Sequence, residues 1–273
     1  MTLQRTGLVD ARRVVVKVGS SSVSGESAWR IPKIVAALAA AHARGMQVML
    51  VSSGAIATGM PYLELDSRPT DLATQQAAAA VGQNVLVYRY QEALRDFHIV
   101  AGQVLLTAGD FEDPAHRSNA RRALDRLLGL RILPIINEND TVATHEIRFG
   151  DNDRLAALVA RLVGADALVL LSDIESLYTA PPSEPGAVPI QTIDADDDLS
   201  QYAFGATVVN SVGTGGAATK AQAARLAAAH GIGALVTSAD LVQEALNGEA
   251  IGTWFSPSDH PAPATGPIDT ALL

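Results

Sequence analysis

Residues 14–55 read VVVKVGSSSVSGESAWRIPKIVAALAAAHARGMQVMLVSSGA, and the order of apolar and small residues in this stretch decides the fold class. Residues 14–18 are a short β-branched run that stops at Gly19-Ser20-Ser21-Ser22, the pattern of a strand buried on both faces. An alanine- and leucine-rich segment, residues 28–44, predicts a helix closed by Gly45. Gln47–Ser52 predicts a second buried strand, followed by Ser53-Gly54-Ala55. Strand, helix and strand within roughly 40 residues make a βαβ unit, whose strands pair in parallel.

The same grammar continues outward. Pro61 and Pro69 bracket a loop, and Thr70-Asp71 opens a long helical stretch to about residue 97. Residues 100–106 predict a third strand; Ser118-Asn119 predicts the cap of a helix to residue 128, with Gly129 as its stop. Residues 132–136 predict a fourth strand, and the polar, partly alternating stretch 137–148 a hairpin excursion. Residues 151–163 are amphipathic, with Leu155, Leu158, Val159 and Leu162 on one face. A fifth buried strand is expected at 167–171, then a proline-rich loop at 180–189. A glycine-rich turn at 213–216 leads into a helix at 217–229, with last strands at 234–237 and 252–255. The proline-bearing tail, 257–273, is expected to be disordered. No internal repeat or interdomain linker stands out, so one α/β domain with room for two lobes is expected.

Composition narrows the function. A chain of 273 residues with 48% hydrophobic and 18% charged residues can bury a large core, which excludes disorder for its bulk. Twenty basic against 29 acidic residues give a net charge of −9 without any Lys/Arg run, which argues against a nucleic-acid or membrane-surface partner. The absence of cysteine excludes disulfides, thiol nucleophiles and thiolate metal sites. The six histidines show no metal-ligand spacing. With neither a signal-peptide core nor an apolar run near the ~20 residues of a membrane span, a cytoplasmic location is expected.

In open parallel sheets, ligands bind outside the carboxyl ends of the strands. Small and polar residues gather there: Lys17 with Gly19 to Ser22, Ser52-Ser53-Gly54, Asn137 to Asp140, and Ser172-Asp173. Gly150-Asp151-Asn152-Asp153 and the loop 213–220 add to them. Such a set holds backbone donors, lysines and carboxylates but no Ser-His-Asp arrangement, which suits phosphate handling better than hydrolysis. In Gly213-Thr214-Gly215-Gly216-Ala217-Ala218-Thr219-Lys220, glycines let backbone approach an anion at a helix N-terminus, with Lys220 one turn in. The string lacks GK[ST] and matches G-x-G-x-x-A only weakly; a flexible turn before a helix is the plainer alternative. Lys17 is either a strand-end residue facing a ligand or an edge residue in solvent. Asp151 and Asp153 read as helix N-caps, or as one carboxylate for a cationic group and one that orients lysines. Residues 137–140 and 53–54 are equally ordinary turns when taken alone.

Taken together, these segments resemble the amino acid kinase family, and within it the branch that phosphorylates the side-chain carboxylate of glutamate. The matching strings are Val15-Val16-Lys17-Val18-Gly19, Val51-Ser52-Ser53-Gly54-Ala55-Ile56-Ala57, Val81-Gly82-Gln83 and Gly102-Gln103-Val104-Leu105-Leu106-Thr107. The run from Ile136 to Thr144, Glu146-Ile147, Gly150 to Asp153, Leu171-Ser172-Asp173, Leu177-Tyr178-Thr179 and the loop 213–220 complete the order. The resemblance implies a three-layer α/β/α sandwich around a mainly parallel central sheet, a kinase domain at 1–256, and ATP with Mg²⁺ as cofactors. It implies that the N-terminal part binds L-glutamate and the part from about 165 binds nucleotide, with γ-glutamyl phosphate, the first intermediate of proline synthesis, as product. By resemblance, Lys17 and Lys220 contact the transferring phosphoryl group and Asp153 holds them. Ser53, Asn137, Asp140, Asp151 and Asn152 match glutamate positions. Lys17, Gly19, Ser172, Asp173, Thr214, Gly215, Gly216, Ala217, Ala218, Thr219 and Lys220 match the nucleotide site. A homo-oligomer (dimer or tetramer), inhibition by proline and a γ-glutamyl phosphate reductase partner are also implied. Three positions depart from the family pattern on the nucleotide side: Ala217 for Met, Ser176 for Gly and Pro181 for Asp. A C-terminal PUA domain common in this branch has no counterpart in the sequence. A paralogue acting on another carboxylate or glutamate analogue, or a non-catalytic amino-acid-sensing domain, is the alternative.

Overall fold

A computed structural model describes residues 6–143, 152–202, 204 and 216–262. The strands are β1 (Arg13–Val18), β2 (Gln47–Ser52), β3 (Ala101–Leu106), β4 (Leu133–Glu138), β5 (Ala167–Ser172), β6 (Thr192–Ile193), β7 (Gly233–Ser238) and β8 (Thr253–Phe255). They form one sheet in the order β3-β4-β2-β1-β5-β7-β8-β6. Every pairing is parallel except β7 with β8. The helices are α1 (Thr6–Val9), α2 (Ser20–Val23), α3 (Ile31–Ala43), α4 (Ala55–Gly59), α5 (Leu72–Arg95), α6 (Gly109–Glu112), α7 (Pro114–Gly129), α8 (Asn152–Val163), α9 (Ala217–Ala229) and α10 (Val242–Leu246).

Strand parity sorts the core into two layers, since successive side chains point to opposite faces. Val14, Val16 and Val18 of β1 pack with Ile34 and Leu38 of α3, Leu86, Tyr90 and Leu94 of α5, and Val242 and Leu246 of α10. Val15 packs on the other face with Leu124 of α7, Leu158 and Val159 of α8, and Ala224 and Ala228 of α9. This is the expected sandwich, helices on both faces of a mainly parallel sheet. The chain leaves β1 toward β2 on one side and returns from β4 to β5 on the other, so the strand order reverses at β1 and β5. A crevice opens at such a reversal, above the carboxyl ends of the strands.

Several boundaries differ from the sequence reading. The first long helix begins at Ile31 behind a 3-10 turn, Gly25–Arg30, because Pro32 favours the first helical turn. Helix α7 starts at Pro114 rather than Ser118, since Asp113 accepts from the N–H groups of Ala115 and His116, both at 2.8 Å. It also runs through Gly129, and Arg131 adopts the positive φ (60°) of the stop. Strand β4 continues through Asn137 and Glu138, which pair with Leu105 and Leu106 of β3, so the expected hairpin loses its first two residues to the sheet. Residues 144–148 of that hairpin lie outside the described residues. The start of the tail is held: Ser258 and Ala262 donate N–H groups to the carbonyls of Ala228 and Ala229 at the end of α9, carbonyls that a helix leaves without intrahelical partners. Residues 263–273 lie outside the described residues.

Helices α4 and α5 cross antiparallel, Ala55 beside Gly82 and Gly59 beside Ala78. A Cβ on Gly82 would fall 1.8 Å from the Ala55 carbonyl oxygen, and one on Gly59 would fall 1.9 Å from that of Ala78. Backbone cannot yield as a side chain does, so Gly82→Ala must force the helices apart. We expect it to lower unfolding free energy by about 3 kcal/mol or more, read as a lower urea midpoint; an unchanged midpoint would show that the helices separate freely.

Candidate active site

Lys17 has the parity of Val15 and therefore points toward α8. It is neither an edge residue nor solvent-exposed: β1 is central, and the side chain is 3% exposed. Its Nζ lies 2.5 Å from Oδ1 of Asp153. Asp153 stands in the first turn of α8, where a carboxylate complements the helix dipole. Helix α8 is buried almost all round, Ala156, Ala157 and Ala160 included, because α7 and α9 cover the side that the apolar stripe leaves free. Asp153 is thereby sealed between the sheet and α9 at 0% exposure.

The second oxygen of Asp153 meets α9. Lys220 Nζ donates to Oδ2 at 3.0 Å and Thr219 Oγ1 lies 3.3 Å from it. Thr219 also locks the helix start, accepting from Gly216 N–H and donating to the Gly216 carbonyl, each at 3.0 Å. A lysine near a helix N-terminus opposes the macrodipole, a cost that the Asp153 carboxylate offsets. Burial would raise the Asp153 carboxyl, but Lys17 first and Lys220 second outweigh it and hold it down to about 2. Two ammonium groups share this one carboxylate in a nearly dry place. Charge without a partner is costly there, so the ion pairs fix all three side chains.

Beside this trio runs a chain of buried amides. Asn152 Nδ2 donates to the Ser52 carbonyl (2.7 Å) and to Asn137 Oδ1 (2.6 Å). Asn137 Oδ1 also accepts from Glu138 N–H (2.9 Å), and Asn137 Nδ2 donates to Gln83 Oε1 (2.7 Å). Ser52 Oγ meets the Tyr90 hydroxyl at 2.9 Å; burial pushes that phenol upward from its usual range, so it stays neutral. The chain links the carboxyl ends of β2 and β4 to the start of α8 and the middle of α5.

Of the sequence candidates, Lys17, Asp153 and Lys220 come together, as do Asn137 and Asn152. Ser53 follows β2 half-buried, its carbonyl accepting from Ser52 Oγ (3.1 Å), with Gly54 behind it at φ 94°. Asp140 is half-buried past the end of β4, and Gly19 past the end of β1. A Cβ on Gly19 would lie 3.9 Å from Lys17 Nζ. Ser172 ends β5 opposite Ser238 of β7, with Asp173 exposed beyond it. Gly216, Ala217, Ala218 and Thr219 form the start of α9, all half-buried. Asp151, Thr214 and Gly215 lie outside the described residues. Sequence reasoning gave no role to Gln83 or Tyr90; Gln83 stood in the quoted string Val81-Gly82-Gln83, but nothing local marks its contact with Asn137, 54 residues on.

A sheet of this order with two lysines meeting at its carboxyl end defines a class. The chain belongs to the amino acid kinase family, whose model, described as "Amino acid kinase family", matches residues 12–238. Glutamate 5-kinase of Clavibacter sepedonicus is 66% identical over 256 residues, 94% of this chain and 98% of that protein. Glutamate 5-kinase of Leifsonia xyli subsp. xyli is 63% identical over 268 residues, 98% of this chain and 99% of that protein. Among solved structures, carbamate kinase from Giardia lamblia bound to AMP-PNP is similar with a TM-score of 0.67, over 92% of this chain and 100% of that one. At 16% identity, that likeness speaks for the fold alone.

The depressed pKa of Asp153 sets a sign. An unfolded aspartate titrates near ~3.9, so the ionised group stabilises the fold at every pH above about 4, and this contribution is lost as pH falls through about 2. We expect Asp153→Asn to lose about 3–5 kcal/mol at neutral pH by leaving two buried lysines without their anion. In urea titrations the gap to the parent should stay constant from pH 9 to 5 and narrow below about 4; a gap that widens in acid would contradict the assignment.

Proposed function

We propose that this chain transfers the γ-phosphoryl group of ATP to the side-chain carboxylate of L-glutamate, releasing ADP and γ-glutamyl phosphate, the first step of proline biosynthesis. The observation that carries the reading is the convergence of Lys17 and Lys220, 203 positions apart, on the buried carboxylate of Asp153. The two glutamate 5-kinases, matched almost end to end, support the choice of acceptor.

The chemistry needs charge rather than a base. A γ-carboxyl with a solution pKa near ~4.3 is already ionised at neutral pH. Its oxygen attacks the γ-phosphorus, the new O–P bond forms, the bond to the β-phosphate oxygen breaks, and no proton moves. The obstacle is bringing one anion to another, so rate arises from positioning and from positive charge on the transferring group. Lys17 and Lys220 are assigned that charge. Asp153 keeps both Nζ atoms in place and, already ionised, takes no proton. Ser53, Asn137, Asp140, Asp151 and Asn152 are assigned to glutamate, with Asp140 or Asp151 facing its ammonium. Gly19, Ser172, Asp173 and residues 214–220 are assigned to nucleotide, in the part of the chain from about 165 onward.

No three acidic or histidine side chains converge as a metal cage among the described residues. Mg²⁺ is typically held by one or two carboxylates together with substrate phosphates, so it would enter on the nucleotide, with exposed Asp173 within the assigned nucleotide set. There it would screen the charge of the phosphates. Among the described residues no helix is long and apolar enough to cross a membrane; a cytoplasmic location is part of the same reading. An acyl phosphate hydrolyses readily, which favours a reductase as the next enzyme; a homo-oligomer is part of the same reading.

Hydroxylamine traps an acyl phosphate as a hydroxamate. With glutamate, ATP and Mg²⁺ the parent should accumulate γ-glutamyl hydroxamate. Lys220→Ala should form it about 10²–10³ times more slowly, and N-acetylglutamate should be a poor acceptor. ADP release without hydroxamate would remove the reading. Proline titrated at fixed glutamate should slow the parent, and extra glutamate should restore the rate; a flat response would remove this form of control.

A further inference from the structure

Gln83 is 8% exposed and sits on α5 immediately after the Gly82 crossing. Its amide has a determinable orientation, because polarity propagates along the chain of amides from the backbone. The Ser52 carbonyl can only accept, so Asn152 must turn Nδ2 toward it. The same Nδ2 and the Glu138 N–H both donate to one atom of Asn137, which must be Oδ1. Asn137 therefore offers Nδ2 to Gln83, and the Gln83 atom that receives it must be Oε1. What remains is Gln83 Nε2, buried and without a hydrogen-bond partner among the described residues. An amide nitrogen in that state costs about 1–3 kcal/mol, and the bond from Asn137 to Oε1 holds the amide in place.

We infer that Gln83 Nε2 is a binding donor to a carboxylate oxygen of the acceptor amino acid. This rests on the glutamate reading above and adds to it a residue to which the reading gave no role. A group that can only donate needs an acceptor. Glutamate presents its ammonium as a donor, so the partner is one of its two carboxylates. Gln83 joins directly to Asn137, and through it to Asn152, both already assigned to the acceptor. A neutral amide also suits the place: it holds a carboxylate through a charge-assisted bond without adding a third cation to compete with Lys17 and Lys220 for the phosphoryl group.

Two variants test this. Gln83→Glu keeps the shape and the oxygen that accepts from Asn137, but replaces the donor by a second acceptor. Gln83→Met removes hydrogen bonding at similar volume, and carries the test should Gln83→Glu fold poorly. Steady-state hydroxamate rates are measured against glutamate and against ATP, at about pH 8 and about pH 6 on either side of neutrality. In both variants the KM for glutamate should rise about ten- to a hundredfold at the higher pH, with the KM for ATP within about twofold of the parent. Only Gln83→Glu should recover glutamate affinity at the lower pH, because burial and the neighbouring substrate carboxylate raise the introduced carboxyl and, once protonated, it regains an O–H donor. Parental KM values for glutamate in both variants would overturn the inference. So would a joint rise of both KM values with a fall in melting temperature, the mark of a purely structural role. A parent that makes no hydroxamate from glutamate would overturn the inference together with the reading beneath it.

Discussion

The carboxylate of Asp153, buried between two lysines, is the constraint around which the molecule is arranged. It joins three elements that are remote in the chain: the central strand β1, the start of α8 and the first turn of α9. None of the three charges is tolerable alone in that setting. Lys17 on a strand buried on both faces requires an anion; Asp153 at a helix start requires cations; Lys220 sits at the wrong end of its helix for the dipole. Each is explained by the other two.

Around that trio the fold provides fixed geometry. Strand parity directs Lys17 at α8, and apolar packing of α8 between sheet and helices holds Asp153 in register. The amides of Asn152, Asn137 and Gln83 carry the same rigidity sideways to α5. Helix α5 is in turn held at contact distance to α4 by two glycines. Asp153 thus opens the charged trio, and its neighbour Asn152 opens the chain of amides.

Much of this was legible from residues alone, for physical reasons that vary by element. The buried strands announced themselves because a parallel sheet covered on both faces demands unbroken apolar runs. Asp71 was readable as a cap, and Thr74 N–H meets it at 2.8 Å. The start of α7 was misplaced at Ser118-Asn119 because Asp113-Pro114 went unread, although an acceptor followed by proline is a fuller start signal. Asn137 and Glu138 look like turn residues, and only their pairing with β3, about 30 positions earlier, makes them strand. The α4–α5 crossing had a faint trace, small residues four apart at Ala55 and Gly59 and again at Ala78 and Gly82, but the close approach itself is tertiary. For the site, residue types were visible in the strings; that Lys17 and Lys220 would share one carboxylate, or that Gln83 would end a chain of amides, depends on contacts that local pattern does not encode.

The most direct measurement is a crystal structure with glutamate, ADP, Mg²⁺ and a planar fluoroaluminate in place of the migrating phosphoryl group. The account requires Nζ of Lys17 and Nζ of Lys220 each to lie within about 3 Å of that group, with Asp153 still between them. A complex in which either ammonium turned away from the fluoroaluminate, or in which that group lay remote from Asp153, would contradict it.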